Sequence, residues 1–560
     1  LILQPILDLV AICAAQGIRQ VVLSPGSRCA PLTLAFARHP EMEVRTISDE
    51  RSAAFIALGM AQQLKQPVVL VCTSGSAALN YYPAIAEAFF QQIPLLVLTA
   101  DRPAEWVDQW DGQTIFQEEV YGKHVKKSFR FPDSFAQADQ VWFAQRTVNE
   151  AIHLSREFPA GPVHINIPLR EPFYPEPGEV FEFPKQPRTF QVESSSYSLS
   201  AESMETLKQK LQGKRRILLV PGQQDSHPEL LQVLEELART KQVVVVADSI
   251  SNMQGEGCIT LHDHWIGNEA FQDELRPDLL LTFGKSIISK SLKLFLRKQQ
   301  VAHWHIQTVG QAKDTFQSLS RVLECEPLPF LRWMLGEIPT QDSSYFQNWQ
   351  NLEARVSGAL PKVLREVKFG EYGALATVLN RTPSSSLIHV ANSMAVRYLN
   401  FLGRRTQEIC CNRGTSGIDG SSSTAVGAAF VRESLVTLIT GDMAFFYDRN
   451  AFWHNYPFAN LRIILLNNHA GGIFRLIDGP ARLSELAEFF ETKQALTAVH
   501  LAAEYGFHYA SVTTSEELQS ALSEFYEPSL QPKIIEIASS SSRNADILKQ
   551  IKGSISASFV

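Results

Sequence analysis

Short runs of apolar, largely β-branched residues recur along the chain, separated by longer stretches whose apolar positions repeat at helical spacing. That alternation predicts an α/β fold built on parallel sheets. The first set of runs is Val21–Ser24, Val68–Thr73, Leu95–Thr99 and Val163–Ile167. Each is nearly continuously apolar, the pattern of a strand covered on both faces. A second set comprises Ile217–Val220, Val243–Ala247, Leu279–Phe283 and His303–Ile306. A third comprises Leu387–Val390, Leu435–Thr440, Arg462–Leu466 and Lys533–Ile537, and its spacing resembles that of the first. Between the first two sets lie Pro168, Pro172, Pro175, Pro177, Pro184 and Pro187, then the polar stretch Glu193–Ser200. Proline at that density suits neither a helix interior nor a central strand, so it predicts an extended linker. Pro327, Pro329 and Pro339 mark a second boundary. The expectation is three doubly wound parallel-sheet domains over residues 1–185, 186–340 and 341–560. Leu1–Gly17 reads as an amphipathic helix and lacks the basic start of a signal peptide.

Composition adds exclusions. Apolar residues make up 45% of the 560 and charged residues 19%, ordinary for a globular protein. No run is long and apolar enough for a membrane span. The net charge is −7 without a basic stripe, which argues against nucleic acid as partner. An anionic ligand would therefore need locally placed Arg or Lys. The seven cysteines are odd in number and form no Cys-x-x-Cys pair, as expected of reduced thiols in the cytoplasm.

The most informative chemistry is Gly441-Asp442 followed by Asn467-Asn468, each half ending a buried strand. Ligands of open α/β sheets bind outside the carboxyl ends of strands. Mg²⁺ takes octahedral oxygen ligands and bridges carboxylates to phosphates. Asp442, Asn468 and the Ala470 carbonyl would supply three such oxygens. Gly441 allows close approach, and Met443 and Ala444 open a helix whose N–H groups can face a phosphate. Alanine restricts the backbone more than glycine, so the arrangement requires Ala470 to avoid positive φ. Either half alone is ordinary turn chemistry; the pair is the signal.

A second signal is Glu50, in Ile47-Ser48-Asp49-Glu50-Arg51 before the small, apolar helix Ser52–Ala61. By position alone, Asp49 and Glu50 simply favour a helix N-terminus. Together with Thr73-Ser74-Gly75 and the Asp442/Asn468 pair, however, the pattern resembles the thiamine-diphosphate enzymes, with Met443 where many members carry Gly. That resemblance implies thiamine diphosphate with Mg²⁺, or Mn²⁺ in its place. It implies a pyrimidine-binding first domain, a central domain and a diphosphate-binding third domain. Glu50 would be the catalytic carboxyl, buried against the aminopyrimidine ring. The first and third domains of different subunits face each other in that superfamily, so the chain would be a homodimer at minimum and a homotetramer in the fuller expectation.

Longer stretches narrow the resemblance. Ser24-Pro25-Gly26-Ser27-Arg28, Asp49-Glu50-Arg51, Leu98–Pro103, Asn412–Gly420 and Gly471-Gly472-Ile473-Phe474 occur in order. They resemble the 2-succinyl-5-enolpyruvyl-6-hydroxy-3-cyclohexene-1-carboxylate synthase family of menaquinone and phylloquinone biosynthesis. The match is thin in the central domain, where Phe283-Gly284 and Ser289-Lys290 carry it. The implied reaction is decarboxylation of 2-oxoglutarate and addition of the succinyl carbanion equivalent to isochorismate, a transferase activity. Both substrates are dianions, and arginine is the preferred carboxylate clamp. The resemblance assigns substrate contacts to Ser27, Arg28, Gln113, Lys290, Ser393, Arg397 and Arg413. It assigns an apolar wall to Ile473, Phe474 and Ile477, and the wedge that bends the cofactor to Ile418. Ser393 and Arg397, four apart, are expected on one helical face. Ser291 stands where some members place a second basic residue after Lys290. The alternatives are an acetohydroxyacid-synthase-like enzyme of smaller 2-oxo acids and a non-catalytic cofactor-binding regulator. His262/His264 and His303/His305 lack further ligands at zinc-site spacing. Phe283-Gly284-Lys285-Ser286 lacks the first glycine of a phosphate loop.

Overall fold

A computed structural model of the chain describes residues 3–193, 195–340 and 342–559. Three parallel sheets organise it. The first contains β1 (Gln20–Leu23), β2 (Glu43–Thr46), β3 (Val68–Cys72), β4 (Leu95–Asp101), β5 (Ser128–Arg130) and β6 (Pro162–Pro168). The second contains β7 (Ile217–Pro221), β8 (Val243–Val245), β9 (Leu279–Phe283), β10 (Ala302–Gln307) and β11 (Leu319–Glu324). The third contains β12 (Leu387–Val390), β13 (Ile409–Cys410), β14 (Val436–Gly441), β15 (Leu461–Asn467), β16 (His508–Val512) and β17 (Lys533–Ala538). Helices flank every sheet, so the fold is α/β, as expected.

The first sheet runs β2-β1-β3-β4-β6-β5 and the third β13-β12-β14-β15-β17-β16, the same permutation of six strands. The likeness in strand spacing is thus a likeness in topology. The order reverses between β1 and β3, and between β12 and β14. Such switch points open a crevice at the carboxyl edge. Ser24–Arg28 and Thr73–Gly75 leave one crevice, and Asn392–Ser393 and Asp442 leave the other.

The central sheet runs β11-β10-β9-β7-β8, and its switch point, between β7 and β9, is closed. Gly222 N donates to the Phe283 carbonyl (2.7 Å), Gln223 N to the Ser286 carbonyl (2.9 Å) and Lys285 N to the Gln223 carbonyl (2.9 Å). The N–H groups of Gln223 and Lys285 are therefore spent on the neighbouring loop, which is why Phe283-Gly284-Lys285-Ser286 is no phosphate loop. His303 and His305 both bond the Thr282 hydroxyl (2.7 and 2.8 Å), and His262 bonds Asp248 (3.2 Å). These histidines are partners within the fold.

One core joins the first and third domains. Helix Glu50–Leu64 crosses helix Ser421–Val431 at two glycines. A Cβ on Gly59 would stand 2.0 Å from the Thr424 carbonyl oxygen, and one on Gly427 2.0 Å from the Ile56 carbonyl oxygen. The backbones touch there, which only glycine permits. All seven cysteines are buried and unbridged. No helix among the described residues is long and apolar enough to cross a membrane.

Candidate active site

Strands β14 and β15 lie side by side with Gly441 opposite Leu466, so Asp442 and Asn467-Asn468 emerge together at the carboxyl edge. Asp442 opens the short helix Asp442–Tyr447 and is 2% exposed. Gln494 Nε2 donates to its carboxylate (2.7 Å). Asn468 Nδ2 donates to Glu371 (2.7 Å), while Asn468 Oδ1 accepts from Ala470 N (3.1 Å). Asn467 is held in parallel by Glu536 (2.6 Å) and the Leu496 carbonyl (2.9 Å). His469 takes the left-handed conformation (φ 60°), and Ala470 does not. The tight turn thus places its positive φ one residue earlier, and Ala470 meets the condition its side chain imposes.

Burial pushes the Asp442 carboxyl up to about 6, opposed by the Gln494 hydrogen bond. Burial likewise pushes Glu371 up to about 7; the Asn468 hydrogen bond opposes this and the Asp442 charge adds to it. No Lys or Arg pairs with either carboxylate among the described residues, and the His469 ring charge opposes the rise at Asp442 only after the Gln494 hydrogen bond. Two neighbouring buried carboxylates without a Lys or Arg partner, beside an amide oxygen and a backbone carbonyl, fit a hard divalent cation. Gly441 has no heavy atom within 4 Å of where its Cβ would be, so the approach from its side is open. Met443 is half-buried and Ala444 buried at the start of the same helix.

Glu50 begins helix Glu50–Leu64, whose N-cap Asp49 accepts from Ser52 N (3.1 Å). Its carboxylate is half-buried and accepts from Asn80 Nδ2 (3.3 Å). The expectation of a buried Glu50 is therefore not met within one chain. Arg51 donates to the Tyr447 carbonyl (2.8 Å) and Asn450 to Asp49 (2.7 Å). Those bonds moor the start of the Glu50 helix to the far end of Asp442–Tyr447. Among the described residues no hydrogen bond or ion pair links Glu50 to Asp442 or Asn468.

The substrate cations divide. Arg413 donates to Asn392 Oδ1 (2.9 Å), and Asn392 in turn donates to the Asn412 and Gly417 carbonyls (2.6 and 2.8 Å). Burial, then the Arg413 charge, lowers the Arg397 pKa. Burial, then Arg413, with Arg297 and Arg397 behind it and Asp248 opposing, lowers that of Lys293. Arg397, Arg413 and Lys293 therefore share one electropositive corner. Lys290, the expected contribution of the central domain, is exposed at the first turn of helix Lys290–Gln299, one turn before Lys293. Arg28 lies in the first domain, donating to the Leu169 carbonyl (2.7 Å) with its guanidinium 4.6 Å from the Phe173 ring centre. Ser27 beside it is exposed. Ser393 stands before helix Met394–Phe401 at φ 70°, not on its face, and its carbonyl accepts from Arg397 at 2.5 Å. Gln113 is exposed at φ 58°, its backbone against Gly75.

Ile473 packs on the core beneath it, Phe474 meets Phe490 at 5.8 Å with the rings tilted by 59°, and Ile477 and Ile418 are exposed at 37% and 40%. A bidentate Arg475–Glu491 pair (2.7 Å twice) holds the loop that carries Ile473, Phe474 and Ile477.

Sequence reading missed Glu371, Gln494, Lys293 and Glu87. Glu87, 1% exposed, accepts from Gly414 N (2.8 Å), Thr415 N (2.6 Å) and the Thr415 hydroxyl (2.6 Å), and so fixes the Arg413 loop from the first domain. The one legible sign was its company: a charge among the apolar positions of helix Tyr82–Gln91.

Three family profiles match the chain. They are the N-terminal TPP binding domain of thiamine pyrophosphate enzymes (residues 8–125), the middle domain of thiamine pyrophosphate enzymes (186–388) and their C-terminal TPP binding domain (391–537). Curated proteins named 2-succinyl-5-enolpyruvyl-6-hydroxy-3-cyclohexene-1-carboxylate synthase align along almost the whole length. That of Cytophaga hutchinsonii is 44% identical over 100% of both chains. That of Christiangramia forsetii is 38% identical over 97% of both, and that of Porphyromonas gingivalis 35% over 95% of this chain and 94% of its own. The chain belongs to the 2-succinyl-5-enolpyruvyl-6-hydroxy-3-cyclohexene-1-carboxylate synthase family of thiamine pyrophosphate enzymes.

Proposed function

We propose that the chain decarboxylates 2-oxoglutarate and joins the remaining four-carbon unit to isochorismate, forming a carbon–carbon bond in menaquinone biosynthesis. The observation that carries the substrate choice is the cluster of Arg397, Arg413 and Lys293 on a chain of net charge −7. Three cations held against mutual repulsion suit ligands with several carboxylates. Pyruvate, with one, would leave that corner uncompensated.

Thiamine diphosphate, when bound, supplies the electron sink for loss of CO₂. Asp442, Asn468 and the Ala470 carbonyl would hold Mg²⁺ (or Mn²⁺ in its place), and Gly441, Met443 and Ala444 would hold the diphosphate. Glu50 holds a proton at the aminopyrimidine ring nitrogen. Ile418 would support the cofactor, and Ile473, Phe474 and Ile477 would keep water from the reacting atoms. Arg397, Arg413 and Lys293 orient carboxylates, with Arg28, Ser27, Gln113, Ser393 and Lys290 around them. The proposed domains are 1–185, 186–340 and 341–560.

Glu50 and Asp442 are best combined across two copies. Trp106, Trp110 and Phe116 on the Gln113 loop, and Ile477, Leu483, Phe489 and Leu496 on the third domain, are all exposed. Two such apolar surfaces on one chain suit association, and a symmetric dimer would cover both sets and bury Glu50. A homotetramer extends the same arrangement.

Incubating the protein with Mg²⁺, thiamine diphosphate, 2-oxoglutarate and isochorismate, then weighing the product by mass spectrometry, tests the reading. The adduct of both substrates less CO₂ is expected. Equal turnover of pyruvate and 2-oxoglutarate would point to the acetohydroxyacid-synthase-like alternative instead.

A further inference from the structure

We propose that Glu371 sets the orientation of the Asn468 side chain and thereby the metal affinity of the site. The inference rests on the reading of Asn468 as a metal ligand. An asparagine amide can turn either its oxygen or its NH₂ toward a given point, and the two are nearly equal in shape. A hard cation accepts only the oxygen. The glutamate oxygen that faces Asn468 Nδ2 is an acceptor, whether or not the other oxygen carries a proton. Placed 2.7 Å from Asn468 Nδ2, Glu371 selects the NH₂ group and sends Oδ1 to the opposite side. There Oδ1 accepts from Ala470 N (3.1 Å) and keeps a second lone pair.

The position of Glu371 is fixed from outside the loop that it organises. It opens helix Glu371–Arg381, its N–H donates to Asn544 Oδ1 (3.2 Å), and it is 1% exposed. A Cβ on the preceding Gly370 would stand 2.7 Å from Ile547 and 2.9 Å from Asn544, so glycine there lets the helix start reach helix Ser541–Ala557. The adjacent Asn467 repeats the device: Glu536, from β17, takes its NH₂ at 2.6 Å while its Oδ1 accepts from His469 N at 3.1 Å. Both amides of the pair are thus oriented by buried carboxylates from other elements. Glu371 is a positioning residue, acting through Asn468.

The test is the Mg²⁺ affinity of the full chain with thiamine diphosphate, measured by titration calorimetry, together with the melting temperature of each variant without metal. Glu371→Gln, which can bond Asn468 in either orientation, should weaken Mg²⁺ binding by about 10- to 100-fold, the usual effect of losing a group that orients a ligand. It should melt close to the wild type. Asn468→Asp sets two carboxylates against each other and should also bind less tightly than its extra charge alone would give. The double variant Glu371→Gln/Asn468→Asp restores a donor facing an acceptor and should bind more tightly than the two single effects combined. Effects that combine independently, within about twofold, would overturn the proposal, as would a Glu371→Gln protein that melts lower yet binds Mg²⁺ normally. Asp442→Asn separates the two levels: unchanged affinity there would remove the metal site itself, whereas lost affinity with an unaffected Glu371→Gln would remove only the role of Glu371.

Discussion

Replacing Gly59 by alanine would put a methyl carbon 2.0 Å from the Thr424 carbonyl oxygen, where real contacts stay beyond 3.0 Å. Helices Glu50–Leu64 and Ser421–Val431 must then part by about 1 Å at their crossing, and overpacking of that kind costs about 1–3 kcal/mol. A gap of that size also forfeits a quarter to a half of each dispersion contact it opens, roughly. Buried Phe55, Ile56, Met60, Ala425 and Ala428 line the crossing. Against this, alanine in a helix gains about 1 kcal/mol over glycine. The lost dispersion contacts offset roughly that gain, so the net expectation is still a loss of roughly 1–3 kcal/mol. Gly553, inside helix Ser541–Ala557 with no heavy atom within 4 Å of its Cβ position, supplies the opposite case. Gly553→Ala should gain about 0.4–1 kcal/mol. Urea unfolding followed by circular dichroism reads both, and turnover reads whether the Glu50 end of the helix has shifted. If Gly59→Ala were stabilised as Gly553→Ala is, the backbone contact joining the first and third domains would not exist.

Burial holds His164 down at about 3, neutral between the Thr99 and Ser128 hydroxyls. Its folded pKa lies below the unfolded value near 6.5, so the unfolded chain takes the proton first. Stability is constant above that value and falls by about 1.4 kcal/mol per pH unit below it, until the folded pKa is reached. His164→Gln should therefore flatten the melting-temperature profile between roughly pH 6.5 and 4; an identical slope would refute this. Lys293→Ala should raise the KM for a dicarboxylate substrate by roughly 10- to 100-fold, the range of a lost charged hydrogen bond. Lys290→Ala should change it by less, and the reverse ranking would return the role to Lys290.

Much of this was legible because burial on two faces leaves a mark. Runs such as Val68–Cys72 and Leu461–Asn467 are buried at every position, and each announced an interior strand. The strands not foreseen, β2, β5, β11, β13 and β16, all lie at sheet edges. β2 reads Glu-Val-Arg-Thr and β16 reads His-Tyr-Ala-Ser-Val, so neither carries an apolar run. β13 has only two residues. The site followed the same division. Asp442 and Asn468 end interior strands and stood out. Glu371 and Gln494 reach them from distant elements with no local pattern. Lys293 was not singled out because which turn of a helix meets Arg413 depends on how the central domain packs. Ser393 was placed on a helix face, whereas the turn before the helix puts it in the left-handed region.

The active site proposed above combines Glu50 of one copy with Asp442 and Asn468 of another. Glu50→Gln and Asp442→Asn proteins, each inactive alone, can be mixed, dissociated and reassembled. A mixed pair then carries one site with both substitutions and one with neither, so random reassembly should restore about a quarter of wild-type formation of the isochorismate adduct. No recovered activity in verified mixed pairs would place both groups in a single chain and contradict the account.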